Sequence, residues 1–203
     1  GKIRLDEVQR PCPVIFLDRD GTLNVDKGFL RNQESLELIP GVGVALRALR
    51  EAGFRLIVLT NQSVIARGEA SEADVAVIHR RLGWELGKAG AYLDEIYLCP
   101  HHPDSGFIGE RKELKISCQC RKPGIGLFER ACVEMPIDPA SSWMIGDQTR
   151  DIEMARRAGL RSILVRTGAS GQDGQFNVEA DFVADDLKAA AAMILHRLGK
   201  SAS

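Results

Sequence analysis

The sequence predicts an α/β fold: a doubly wound, mainly parallel sheet with helices on both faces. Three observations support this. Short runs rich in Val, Ile and Leu alternate with longer segments of helical period along most of the chain. The runs are apolar throughout, as strands covered on both faces by helices must be. The chemically active residue types gather at strand ends and in loops, and open α/β sheets bind ligands outside the carboxyl ends of their strands.

The first strand is expected at Val14–Asp18, followed by a helix over Gly43–Ala52 that carries Val44, Leu46 and Leu49 and stops at Gly53. A second strand, Arg55–Thr60, leads to a helix over Ser71–Lys88. Its opening Ser71-Glu72-Ala73-Asp74 reads as an N-cap with acidic residues in the first turn. Strands at Glu95–Cys99 and Ser142–Gly146 enclose a helix over Ile125–Glu134. Then come a helix over Thr149–Ala158, strands Ser162–Arg166 and Asp181–Ala184, and a last helix, Asp186–Leu198. Two segments interrupt the rhythm, Asn24–Glu37 and the aperiodic Pro100–Pro123, and aperiodic stretches of the second one's length are usually functional or held by something other than packing. Gly1–Arg10, Gly168–Asn177 and Gly199–Ser203 read as loose. The expected organisation is a flexible segment over 1–12, one domain over 13–198 and a tail over 199–203.

A chain of 203 residues is long enough for one sizeable core. Lys plus Arg total 27 against 28 Asp plus Glu, a net charge of -1, which argues against a nucleic-acid or anionic-membrane partner. No run approaches the roughly 18 apolar residues of a membrane span. Gly1–Pro13 is mixed and charged where a secretory signal would be apolar, so a cytoplasmic protein is expected. Five cysteines, an odd and sparse set, do not form the framework of a disulfide-stapled domain. Reduced thiols or a metal site are the remaining uses.

The first strand ends in Asp18-Arg19-Asp20-Gly21-Thr22-Leu23-Asn24. Residues two apart in a strand share a face, and Gly21 lets the chain turn sharply, so two carboxylates can look into one cavity. Alone, such a pair more often caps a turn. Here it is joined by Thr60-Asn61-Gln62-Ser63 after the second strand, Arg121-Lys122-Pro123 before a helix, and Gly146-Asp147-Gln148-Thr149-Arg150-Asp151 after the fourth strand. These four motifs, in this order, resemble the haloacid dehalogenase-like superfamily of aspartate-nucleophile phosphotransferases. The likeness covers Ile15–Asp151, about two thirds of the chain.

Phosphate ester hydrolysis requires neutralised charge, aligned attack and a protonated leaving oxygen, and a carboxylate nucleophile divides it into two displacements through an aspartyl phosphate. Asp18 is the expected nucleophile and Asp20 the acid and base. Thr60 and the backbone amide of Asn61 would bind phosphoryl oxygens, and Lys122 would balance the negative charge. Mg²⁺ would be held by Asp18 and Asp147, with Asp151 either a ligand or an orienting group; the resemblance adds the backbone carbonyl of Asp20.

Cys99-Pro100-His101-His102 and Cys118-Gln119-Cys120 offer three thiolates and one imidazole, a closed set suited to structural Zn²⁺ through Cys99, His101, Cys118 and Cys120; buried reduced cysteines are the alternative. His102 is left over, and Cys12 and Cys132 read as packing residues.

The gap after the first motif has no room for a large cap domain. The motifs, with Ile65-Ala66-Arg67-Gly68 and Cys99-Pro100-His101-His102-Pro103, resemble the D-glycero-D-manno-heptose 1,7-bisphosphate 7-phosphatases, and beyond them the histidinol-phosphate phosphatases. The resemblance implies a capless, Rossmann-like phosphatase core with a zinc-bound loop over 99–121. It implies a cytoplasmic, monomeric enzyme that removes the 7-phosphate of a small sugar bisphosphate in nucleotide-heptose biosynthesis. Arg121 suits a second phosphate, since a guanidinium binds one bidentately. Asp26, Phe29, Asn61, Gln62, Ser63 and Arg67 match substrate-contacting segments. Val64 replaces the Gly usual after that Ser, Gly124-Ile125-Gly126 lacks a usual proline, and the loop 104–117 is longer and more charged.

Overall fold

The computed structural model describes residues 10–201. Six parallel strands, β1 (Val14–Leu17), β2 (Arg55–Asn61), β3 (Glu95–Cys99), β4 (Trp143–Gly146), β5 (Arg161–Val165) and β6 (Phe182–Ala184), form one sheet in the order β3-β2-β1-β4-β5-β6. The helices are α1 (Val42–Glu51), α2 (Glu72–Gly87), α3 (Gly126–Glu134), α4 (Thr149–Ala158) and α5 (Leu187–Ser201). The chain winds outward from β1 to β3, then restarts at β4 on the other side. A crevice therefore opens beyond the carboxyl ends of β1 and β4.

The two faces of the sheet build two cores. Ile15 and Leu17 of β1 join Leu46 and Leu49 of α1, Leu82 and Leu86 of α2, and Leu187 and Ile194 of α5. Val14 and Phe16, pointing the opposite way, join Leu127 and Phe128 of α3 and Met154 of α4, with Phe16 edge-on to Phe128 at 5.5 Å. Burial on both faces explains why the strands read as continuous apolar runs. Ser71 and Asp74 form the capping box that starts α2, and Gly159, at φ 71°, ends α4.

The β1–α1 connection contains only a short 3-10 turn at Gln33–Ser35, so no large cap covers the crevice. A small third core of Val64, Ile65, Ala70 and Val75 takes Leu114 from the long loop, which accounts for Val64 as a packing residue. Cys12 and Cys132 pack against the second core. Cys12, placed by the sequence in a loose segment, is tied by its N–H to Pro136 O at 2.9 Å and by its carbonyl to Asp138 N at 3.0 Å; residues 1–9 of that segment lie outside the described residues. At the other end α5 continues through Ser201, past the expected start of the tail at Gly199.

Candidate active site

At the end of β1, Asp18 projects from a strand held between β2 and β4. The Lys122 ammonium is almost fully buried and donates to Asp18 Oδ1 at 2.9 Å and Asp151 Oδ1 at 2.7 Å. Burial would lower its pKa, but the charges of Asp151 and Asp18 outweigh that and hold it above the ordinary lysine value. Asp151 Oδ2 accepts from Gln148 N at 3.1 Å, so one side chain caps α4 and anchors the lysine. Asn61 fixes the lysine's backbone, accepting from Lys122 N at 3.0 Å and donating to Lys122 O at 3.2 Å.

Asp147 completes the cluster. Oxygens of Asp18, Asp147 and Asp151 lie within 4.8 Å of one another. Asp147 Oδ2 accepts from Ala169 N at 2.7 Å, whereas Oδ1 is buried without a hydrogen-bond partner. Burial, then the nearby charges of Asp18 and Asp151, push its pKa up to about 8. Its surroundings are tight: a Cβ on Gly21 would come 2.3 Å from Asp147 Oδ2, and one on Gly168 would come 2.2 Å from it. Three buried carboxylates against one lysine leave negative charge in excess, and an orphaned oxygen faces it. A hard divalent cation fits this donor set.

Asp20 is not among the carboxylates of this cluster. Its carboxylate accepts from Arg19 Nη2 at 2.8 Å, Asn24 Nδ2 at 2.9 Å and Gln62 Nε2 at 3.0 Å. Burial alone would raise its pKa; Arg19, helped by these hydrogen bonds, holds it below the usual carboxylate range. Arg19 is fully buried, and its Nη1 lies 3.2 Å from His79 Nε2. Burial, with Arg19 beside it, lowers His79 to about 4, so the ring is neutral near pH 7 and its Nε2 accepts from the guanidinium. The Thr60 hydroxyl is buried and accepts from Gln62 Nε2 at 2.8 Å.

Above this floor lies a cleft of about 330 Å³. Asp18, Asp20, Asn61, Gln62 and Ser63 line its base, and Asp26, Phe29, Arg67 and Arg121 line its walls. These residues were all expected at the site. Others were not, among them Gln148 and Arg150 from the start of α4, and Asp173 and Gln175 from a loop that reads as loose in the sequence. That loop is fastened, since Asp173 accepts from Thr149 N at 2.8 Å and from its hydroxyl at 2.6 Å, and Gly171 N donates to Asp147 O at 2.7 Å. His102, left over in the sequence, also lines the cleft.

Beside the cleft, single donor atoms of Cys99, His101, Cys118 and Cys120 lie within 4.8 Å of one another. The sulfur–sulfur separations are 3.2 to 3.6 Å and His101 Nδ1 lies 3.3 Å from Cys120 Sγ. A tetrahedron around an ion about 2.3 Å from each sulfur has edges of about 3.8 Å, so the cluster can close on a metal with little movement. Burial and then the neighbouring Cys120 push the Cys99 thiol up, a cost that a coordinated cation removes.

An aspartate at the end of β1, a buried lysine and an acidic pair after the fourth strand, set at the switch point of a six-stranded parallel sheet, are the arrangement of a phosphatase of the haloacid dehalogenase-like superfamily. Residues 119–190 match the HAD-hydrolase-like family model. The chain is 44% identical over 160 residues to the D-glycero-beta-D-manno-heptose-1,7-bisphosphate 7-phosphatase of Escherichia coli K12, covering 78% of this chain and 82% of that protein. It is 41% identical over 174 residues to the protein of that name from Haemophilus influenzae, covering 85% and 91%. The crystal structure of the D,D-heptose 1,7-bisphosphate phosphatase from B. bronchiseptica, complexed with magnesium and phosphate, superposes with a TM-score of 0.79 at 32% identity, covering 91% of this chain and 99% of that one. The chain belongs to the D-glycero-beta-D-manno-heptose-1,7-bisphosphate 7-phosphatase family. Among the described residues no helix is long and apolar enough to cross a membrane.

Proposed function

We propose that this chain removes the 7-phosphate of D-glycero-beta-D-manno-heptose 1,7-bisphosphate, with Asp18 as nucleophile and Asp20 as acid and base. The observation that carries the reading is the division of the cleft. Its floor holds a nucleophile braced by a lysine, and its walls carry Arg67, Arg121 and Arg150, none in an ion pair among the described residues. A substrate with one phosphate for the floor and another for the walls satisfies both.

In the first displacement Asp18 Oδ attacks phosphorus, and the bond to the C7 oxygen breaks as Asp20 delivers a proton to that oxygen. Arg19 keeps Asp20 ionised in the free protein. A phosphate dianion placed beside it raises its proton affinity, so the acid form arises with substrate bound. In the second displacement Asp20 accepts a proton from water, which attacks the aspartyl phosphate and releases Asp18 and inorganic phosphate. Lys122 offsets charge on the nucleophile throughout, and Asp151 holds Lys122 in place. Thr60, whose hydroxyl accepts from Gln62 and keeps its own proton to donate, and the Asn61 amide are the proposed phosphoryl contacts, with Gln62 also donating to Asp20. Mg²⁺, held by Asp18, Asp147 and the Asp20 carbonyl, would supply further neutralisation of the phosphoryl oxygens. Zn²⁺ on Cys99, His101, Cys118 and Cys120 would hold the base of the long loop. The chain is proposed to act as a monomer on a small sugar phosphate in the cytoplasm.

The test is phosphate release with Mg²⁺ from the heptose bisphosphate and, side by side, from histidinol phosphate, with Asp18→Asn as the blank. The expected kcat/KM is at least about a hundredfold higher on the bisphosphate, roughly 2.7 kcal/mol of discrimination. Equal or reversed values would overturn the substrate assignment.

A further inference from the structure

We propose that Phe107, on the long loop between the two halves of the Cys/His cluster, is a positioning residue for substrate selection. With Phe29 it clamps the Arg67 guanidinium at the cleft wall, and so sets how tightly the phosphate that is not cleaved is bound. This rests on the substrate reading above.

The clamp is built from three separate connections. Arg67 follows β2, Phe29 lies between β1 and α1, and Phe107 lies between β3 and α3. The Arg67 guanidinium carbon is 4.5 Å from the Phe29 ring centroid and 5.0 Å from that of Phe107. Among the described residues the guanidinium makes no ion pair or hydrogen bond, and its Nε is buried without a partner. An arginine held by aromatic faces keeps its N–H edge available, and that edge matches the oxygens of a phosphate. The rings supply attraction without consuming any of the donors that an anion needs.

Phe107 is itself fixed, although its side chain is 46% exposed. Glu110 accepts from Gly106 N and Phe107 N, both at 3.0 Å, and folds the loop tip back on itself. Lys115 Nζ donates to Asp104 O at 2.7 Å and sits 4.8 Å from the Phe107 ring. Next to Arg67, Ala66 O accepts from Arg111 N at 2.9 Å. Gly68 lies so close to the loop that a Cβ there would come 2.0 Å from Gly109 O. The loop tip and the turn bearing Arg67 are therefore packed directly against each other. An arginine already ordered before substrate arrives loses less freedom on binding, and that difference should appear in KM.

The experiment compares wild type, Phe107→Ala, Phe107→Tyr, Arg67→Ala and the Arg67→Ala/Phe107→Ala double variant on the heptose bisphosphate and on p-nitrophenyl phosphate. Phe107→Ala should raise KM for the bisphosphate about fivefold, the worth of one partly desolvated cation–π contact, with kcat within about twofold. Phe107→Tyr should restore KM, and Phe107→Ala should add nothing in the Arg67→Ala background. An equal KM change on both substrates, or a full effect without Arg67, would overturn the clamp. Should wild type show no preference for the bisphosphate, the substrate reading has failed on its own. The clamp is then judged by a double-mutant cycle on Tm without substrate: coupling between Arg67 and Phe107 is expected, and strict additivity would overturn it.

Discussion

The floor and the walls of the cleft are held by different means. On the floor, Asp18, Asp147 and Asp151 sit at strand ends or a helix start, Lys122 bridges two of them, and Gly21 and Gly168 lie where any side chain would collide with the Asp147 carboxylate. On the walls, Arg67, Arg121 and Arg150 come from the turn after β2, the metal-cluster loop and the first turn of α4, and no carboxylate pairs with them among the described residues. A floor whose lysine is already paired with two carboxylates is organised before substrate binds, and its excess negative charge suits a cation. Walls carrying unpaired cations await an anion: burial and then the nearby Arg150 lower the Arg121 pKa, a repulsion that a bound phosphate would relieve. The proposed function thus assigns the chemistry to the end of the sheet and the choice of substrate to loops laid over it.

The comparison is most easily broken at the floor. Asp18→Asn should reduce phosphate release by at least about a thousandfold on every substrate, since an amide cannot form the proposed aspartyl phosphate. Appreciable residual turnover would mean that the nucleophile lies elsewhere. Arg121→Ala should act on one substrate only, with kcat/KM about a hundredfold lower on the bisphosphate and little altered on p-nitrophenyl phosphate. An equal fall on both would move Arg121 from the wall to the chemistry.

Smaller effects sharpen the division. Cys118→Ser should release the bound metal, read by elemental analysis, and lower Tm by about 5 °C or more, because binding energy at a structural site is folding energy. Unchanged metal content and Tm would leave the cysteines as reduced packing residues. The smallest effect concerns His79. Its pKa is depressed to about 4 from 6.5, so below 6.5 the unfolded chain takes up a proton that the native state refuses. Stability is complete above that pH and falls with acidification by up to about 1.4 kcal/mol per pH unit. His79→Gln should flatten denaturation midpoints measured between pH 6.5 and 5, and an unaltered slope would show that His79 does not carry it.

Much of this arrangement was legible in the sequence. The six strands read within a residue or two because burial on both faces imposes unbroken apolar runs. Asp18 and Asp147, expected at the ends of β1 and β4, and Lys122, expected in the loop before α3, do come together, with Lys122 donating to Asp18 and an oxygen of Asp147 within 4.8 Å of Asp18. Arg19 was not, since an arginine between two aspartates looks solvated, and only the fold shows it sealed against His79. Asp173 and Gln175 lie in a glycine-rich stretch whose order comes from hydrogen bonds to Thr149, remote in sequence and absent from local composition. Arg150 and Phe107 likewise acquire meaning only when loops from different parts of the chain meet over the sheet.

The most direct test of a floor that cleaves and walls that choose is the regiochemistry of one turnover. Phosphorus NMR of the heptose bisphosphate reaction should show the C7 phosphate released while the C1 phosphate stays on the sugar, held by the arginines. Release from C1, or from both positions at similar rates, would contradict it.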